Sequence, residues 1–172
     1  MLIVIFGAII LLKNKGEDGL AEYIPEQEIS EEQQRQTFVS LYFKNKDAGH
    51  LMPEARFVDA KLLLENPYYV LVEMLIQGPN NDKLEGIIPK NTKINEVKIE
   101  KGIVNLDLSI DFINNVSLGK EEETKIVQSI TYTLFELTEV DSVKIIIDGE
   151  EGKAFADNEV DFRNVFMKNN DL

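Results

Sequence analysis

Carboxylates are the only catalytic raw material that this chain offers in quantity. Asp107 and Asp111 flank Ser109, and Asp148, Glu150 and Glu151 cluster further along. Two carboxyl groups about 5 Å apart in unlike environments can cleave a glycosidic bond, one as nucleophile and the other as acid. A shell of about six to eight oxygens would hold calcium instead. Neither cluster has the EF-hand spacing with its central glycine and terminal glutamate, and the chain has no tryptophan to stack a sugar. Turn capping and solvation are the favoured roles: Asp107 and Ser109, at the end of a strand, can satisfy the backbone turn that leads to Phe112.

Other chemistries lack their parts. The single histidine, His50, follows Asp47-Ala48-Gly49 in a turn, so a site with several imidazoles cannot be built. Cysteine is absent, which excludes disulfides, thiolate catalysis, cysteine zinc sites and the lipid-bearing cysteine of a lipoprotein. No phosphate loop or dinucleotide fingerprint occurs. The residues therefore predict no enzyme, no metal site and no cofactor. Eighteen basic against 31 acidic residues give a net charge of −13. That charge repels phosphate backbones, so nucleic acid is not an expected partner, and it opposes unaided adsorption on anionic lipid. It suits simple solubility or a basic protein surface. Arg56, in so acidic a chain, is expected in an internal salt bridge or against a partner's carboxylate.

The elements that position these groups follow from periodicity. Residues 1–12 form an apolar run spanning only roughly 18 Å as a helix, too short for a bilayer core of about 30 Å. The run is read as a remnant of a signal or membrane anchor whose upstream basic residues are missing, with a marginal anchor and a buried core helix as the alternatives. Lys13 and Lys15 behind it would by themselves favour holding the rest of the chain inside the cell. Residues 13–36 are polar and mostly acidic, as in a flexible tether, with a short helix possible from Ile29 capped by Ser30. The domain proper is expected over 37–152, with 153–172 a tail docked on it through Phe155, Phe162, Val165 and Phe166.

Within the domain, Phe38, Ser40 and Tyr42 alternate with Val39, Leu41 and Phe43, as a strand requires. Leu51 to Val58 can return as its partner, and Pro53 confines that partner to an edge. Asn66 caps a helix begun by Pro67 and stopped by Gly78-Pro79. Ile88-Pro89 re-enters the core, and a hairpin over 93–108 turns at Lys101-Gly102. A second helix runs from about Lys120 to Leu137 with Ile126, Val127, Ile130 and Leu134 on one stripe. Ser142 to Ile147 is a last strand ending in Asp148-Gly149. The predicted class is α+β: two helices on one face of a mainly antiparallel sheet, in βαββαβ order with an extra N-terminal hairpin strand.

These landmarks, in this order, resemble the GerMN domain of sporulation and spore-germination proteins. The resemblance rests on Tyr42-Phe43, Leu51, Pro53-Glu54 with Arg56, Gly78-Pro79, Ile88-Pro89 with Thr92, Val104, Asp107-Leu108-Ser109 with Phe112, Thr133-Leu134, Val140 and Asp148-Gly149. It implies a ring-building-motif-like fold and a non-catalytic, extracytoplasmic, membrane-tethered binding or assembly module of the bacterial envelope. Its expected partner is an envelope or sporulation-complex protein, or a second copy in self-assembly, with the membrane reached through the N-terminal segment. The chain has room for one such domain and lacks the lipoprotein cysteine, so a peptide signal or anchor must replace the lipid. Gly78, Pro79, Pro89, Asp107, Ser109 and Gly149 are expected to be structural. Tyr42, Pro53, Glu54 and Arg56, on the exposed first strand pair, are the candidate partner-binding residues. The alternatives are a carboxylate-based enzyme acting on envelope glycan, and a small-ligand sensor of a membrane signalling system.

Overall fold

Alternating apolar residues and a few well-placed caps account for most of the architecture. A computed structural model describes residues 36–114 and 116–168. The expected anchor over 1–12, the short helix from Ile29 and nearly all of the tether lie outside the described residues. The elements are β1 (Gln36–Asn45), β2 (Leu51–Asp59), α1 (Ala60–Glu65), α2 (Pro67–Gln77), β3 (Leu84–Glu85), β4 (Ile94–Glu100), β5 (Ile103–Leu108), a 3-10 turn (Ile110–Phe112), α3 (Lys120–Phe135), β6 (Ser142–Ile147) and β7 (Phe166–Met167). The class is α+β, as expected.

The first hairpin turns on Asn45, whose side-chain oxygen accepts from the amides of Asp47 and Ala48. β1 and β2 then pair from Gln36↔Asp59 to Lys44↔Leu51, with Pro53 opposite Tyr42. β2 is an edge strand, as its proline requires. The first helix has its expected ends: the Asn66 side chain accepts from the Tyr69 amide, Pro67 opens α2, and Gly78 takes φ 94°. Lys101 and Gly102, at φ 51° and 80°, form the tight tip between β4 and β5, where two positive φ values match the strand twist.

The strands divide into two sheets, of order β2-β1-β3 and β4-β5-β6-β7. All their pairings are antiparallel except β5 with β6, which are joined through α3. The cause of the division lies on the free side of β1, which meets β3 only at Lys44 and Asn45. Beside Tyr42 a helix stands where a further strand would pair. The Tyr42 amide donates to Thr133 Oγ1 at 3.0 Å, and Ser129 Oγ donates to the Tyr42 carbonyl at 2.6 Å. Ser129 and Thr133 are both buried, so these bonds satisfy groups that have no access to water.

Helices α2 and α3 touch each other and β1, while α2 also packs on β4 and α3 on β6. Leu41, Phe43, Leu71, Leu75, Val104, Leu106, Ile126, Ile130, Val143 and Ile145 fill one continuous core between them. β5 buries every second residue, the pattern of a strand with one wet face. Beyond Gly149, Phe155 and Phe162 are buried against Phe112, and β7 adds to β6.

Helix α1 was not anticipated from the sequence. Asp59, at the end of β2, caps it by accepting from the Lys61 amide. It reads Ala-Lys-Leu-Leu-Leu-Glu, and none of its residues is buried.

Candidate functional site

The outer face of the first sheet is where the fold leaves large apolar side chains without cover. Strand alternation sends Leu41 and Phe43 inward and Phe38, Ser40 and Tyr42 outward. Phe38 faces Phe57 across the β1–β2 pair, and the rings lie 4.2 Å apart at 37°. They remain 66% and 63% exposed. Leu62 of α1 extends the apolar surface beside Phe57 at 52% exposure, and Leu64 of the same helix is 84% exposed. Phe57, Leu62, Tyr69 and Met74 line an open cleft of about 380 Å³ between the end of β2, α1 and α2.

Of the four residues expected to meet a partner, two lie on this outer face and two do not. Tyr42 sits at the α3 side, its hydroxyl donating to Glu136 Oε1 at 2.7 Å and its ring edge-on to Tyr132. The hydrogen bond to Glu136 pushes its hydroxyl up to about 12. Pro53 lies opposite it on the exposed edge strand. Because both polar backbone groups of Tyr42 point to α3, Tyr42 and Pro53 form a non-hydrogen-bonded pair, and the missing proline N–H is not needed by the ladder.

Glu54 and Arg56 point the other way. Arg56 Nε donates to Glu54 Oε1 at 2.6 Å, and its terminal nitrogen donates to the Gly78 carbonyl at 2.6 Å. Its guanidinium also stands 5.4 Å from the centroid of the Phe43 ring. Glu54 accepts further bonds from the amides of Asn80 and Asn81 at 3.0 and 2.9 Å. The pair clamps the Gly78-Pro79 end of α2 to β2, so both groups are spent inside the domain. Burial pushes the Glu54 carboxyl up, but the two amides and Arg56 outweigh it and hold it below the usual range.

The carboxylates singled out for catalysis serve turns. Asn95 Nδ2 donates to Asp148 Oδ1 at 3.0 Å and to Asp107 Oδ1 at 3.3 Å. Asp107 also accepts from the Gly149 amide, and Asp148 from the Ile110 amide. The 3-10 turn towards Phe112 is thus capped from Asp148, rather than by the side chains of Asp107 and Ser109 as the sequence suggested. Ser109 Oγ instead accepts from the Lys93 amide, fixing the base of the second hairpin. Glu150 pairs with Lys153, and Glu151 with Lys144. His50 is exposed in the first hairpin turn. Among the described residues no group of three or more acidic or imidazole side chains is placed to hold a metal ion, and no helix is long and apolar enough to cross a membrane.

Sequence reasoning missed the apolar ledge of Phe57, Leu62 and Leu64. Its signal was Asp59 before three consecutive leucines, a cap with no amphipathic period behind it. A buried acid was also missed: Glu123, in the first turns of α3, is fully buried, and its carboxyl bonds to the Leu118 amide and meets Asp157.

Comparison with known proteins agrees with the fold and with the resemblance. A stretch of 90 residues is 39% identical to the spore germination protein GerM of Bacillus subtilis strain 168, covering 48% of this chain and 23% of that protein. The chain thus spans less than a quarter of the length of that curated relative. The first GerMN domain of the sporulation protein GerM from Bacillus subtilis superposes with a TM-score of 0.65 at 27% identity, over 78% of this chain and 99% of that one. A candidate lipoprotein of Clostridium perfringens shares the fold at a TM-score of 0.50 and 24% identity, over 81% and 93% of the two chains. The family model named Germane, described as sporulation and spore germination, matches residues 40–153, and this chain belongs to that family.

Proposed function

We propose that this protein is a non-catalytic binding and assembly module of the bacterial cell envelope, working in sporulation or spore germination. It is held outside the cytoplasmic membrane through its N-terminal segment and meets an envelope protein through the outer face of β1 and β2. One observation carries this reading: Phe38 and Phe57 lie ring to ring in the open, at the end of the sheet face away from α3. The relatives named for sporulation and germination support the process, and the lipoprotein-like neighbour supports the extracytoplasmic placement. The turn-bound Asp107 and Asp148 favour a module without chemistry over a glycan-acting enzyme.

The reading is tested by placing a photo-crosslinking residue at Phe38, Phe57 or Ser40 of the full chain in a spore-forming host. Controls carry it at Lys98 and Glu151, away from the hairpin. A defined adduct with one envelope protein, from the hairpin positions alone, supports the module. Equal adducts from all positions, or none outside the cytoplasm, refute it.

A further inference from the structure

Resting on the reading above, the geometry points to the kind of partner the ledge takes: we infer that it receives an apolar protein segment flanked by lysine or arginine. The first ground is a helix without a counterpart. α1 carries three successive leucines and buries none of its residues, although burying leucine is among the main sources of a fold's stability. Leu62 of α1, Phe57, Tyr69 and Met74 line one open apolar groove of about 380 Å³.

The second ground is charge. Asp59 and Glu73 line the cleft, and Glu65 ends α1, whereas no lysine or arginine is among the residues that line it. Asp59 spends one oxygen on the Lys61 amide, and no hydrogen bond or ion pair from the described residues neutralises it. Several other acids do have lysine partners: Glu122 with Lys44 and Lys125, Glu151 with Lys144, Glu150 with Lys153. An apolar ledge with an unneutralised acidic border selects a cationic partner, because a like charge brought there is repelled while an opposite one is steered in.

The same charge weighs against the other occupants. Two copies docking ledge to ledge would oppose acid to acid in a self-complementary interface, on molecules of net charge −13 each. An anionic bilayer is repelled in the same way.

The test uses the full chain and two labelled 18-residue amphipathic peptides, one of leucine and lysine, the other of leucine and glutamate. Fluorescence anisotropy should show saturable one-to-one binding of the lysine peptide only. That binding should weaken with salt, and by about tenfold or more in the double variant F57S/L62S. Both positions are exposed, so the variant keeps the fold, and a circular dichroism melt verifies it. Lysine-peptide binding that the double variant leaves unchanged overturns the proposal, since the peptide then sits elsewhere on the acidic surface. If both peptides bind equally and both are lost in the variant, the charge class is wrong while the ledge stands as a binding surface. Sedimentation showing a dimer that the variant dissolves replaces the partner by a second copy. Binding to phosphatidylglycerol–phosphatidylcholine vesicles that the variant abolishes replaces it by lipid.

Discussion

The clamp between β2 and the end of α2 yields the sharpest stability prediction. In Glu54→Ala, Arg56 stays at its site with its side chain only 10% exposed and the Gly78 carbonyl as its remaining hydrogen-bond acceptor. Stripping one partner from a buried pair costs about 3–5 kcal/mol. The amides of Asn80 and Asn81 also lose their acceptor, but both residues are exposed and can turn to water. The low end therefore applies, about 3 kcal/mol. At about 3–4 °C per kcal/mol for a domain of this size, the melting temperature falls by about 10 °C. Glu54→Gln keeps one acceptor oxygen for the amides but turns its NH2 toward the Arg56 donor, losing that bond with the charge, for about 1.5–3 kcal/mol. Urea unfolding of E54A, R56M and the double variant measures the coupling, expected at about 1–2 kcal/mol. The pH dependence has a definite sign. The folded Glu54 carboxyl titrates below its unfolded value, so its stabilisation is present above about pH 4.3 and is lost as pH falls through the lower folded value. E54Q should flatten that acid limb. A loss below about 1 kcal/mol in E54A, or additivity within about 0.5 kcal/mol in the cycle, refutes the clamp.

Three further outcomes are expected. Glu123 is driven up by its burial and by the nearby Asp157 and Glu159, against the Leu118 amide. Its share of stability is therefore full at acid pH and lost as pH rises through the raised value; melts across pH should show E123Q more stable than the parent at about pH 8 and nearly parallel to it at about pH 4. Gly102→Ala sets a Cβ against the Asp141 carboxylate at a positive φ, and chemical denaturation should show a loss of about 1–3 kcal/mol. Asp148→Ala frees the Ile110 amide and Asn95, so a melt should show about 1 kcal/mol lost, while purified parent and variant alike release no reducing sugar from peptidoglycan.

What the sequence disclosed was whatever short-range chemistry decides. Asn66-Pro67 and Gly78-Pro79 bracket α2 because a cap and a left-handed stop act within a turn of the helix. The Lys101-Gly102 tip and the alternation of β1 and β5 were legible for the same reason. α1 was not, since six residues with three adjacent leucines carry no period from which a helix can be inferred. The internal salt bridge expected of Arg56 is present, with Glu54, but both residues were also offered as partner-binding charges because strand alternation alone does not say which face is covered. Their actual acceptor and donors sit at Gly78, Asn80 and Asn81, beyond α2. The division into two sheets was hidden for a related reason: it depends on two hydroxyls far along the chain.

Those two hydroxyls also impose an order on synthesis. Ser129 and Thr133 lie 87 and 91 residues after Tyr42, the strand residue that they complete. At about 5–20 residues per second, a ribosome delivers them roughly 4–15 s after the first hairpin, which ends at Asp59, has emerged. Throughout that interval β1 shows a bare edge next to the stacked Phe38 and Phe57, an invitation to pair with a neighbouring nascent chain. The hairpin answers on its opposite margin, where Pro53 withholds a donor and Glu54 and Arg56 place charge on the inward face of an edge strand. Newly made chains thus have one margin guarded from birth and one guarded only when α3 arrives, and a ribosome stalled between residues 60 and 129 would leave that second margin bare.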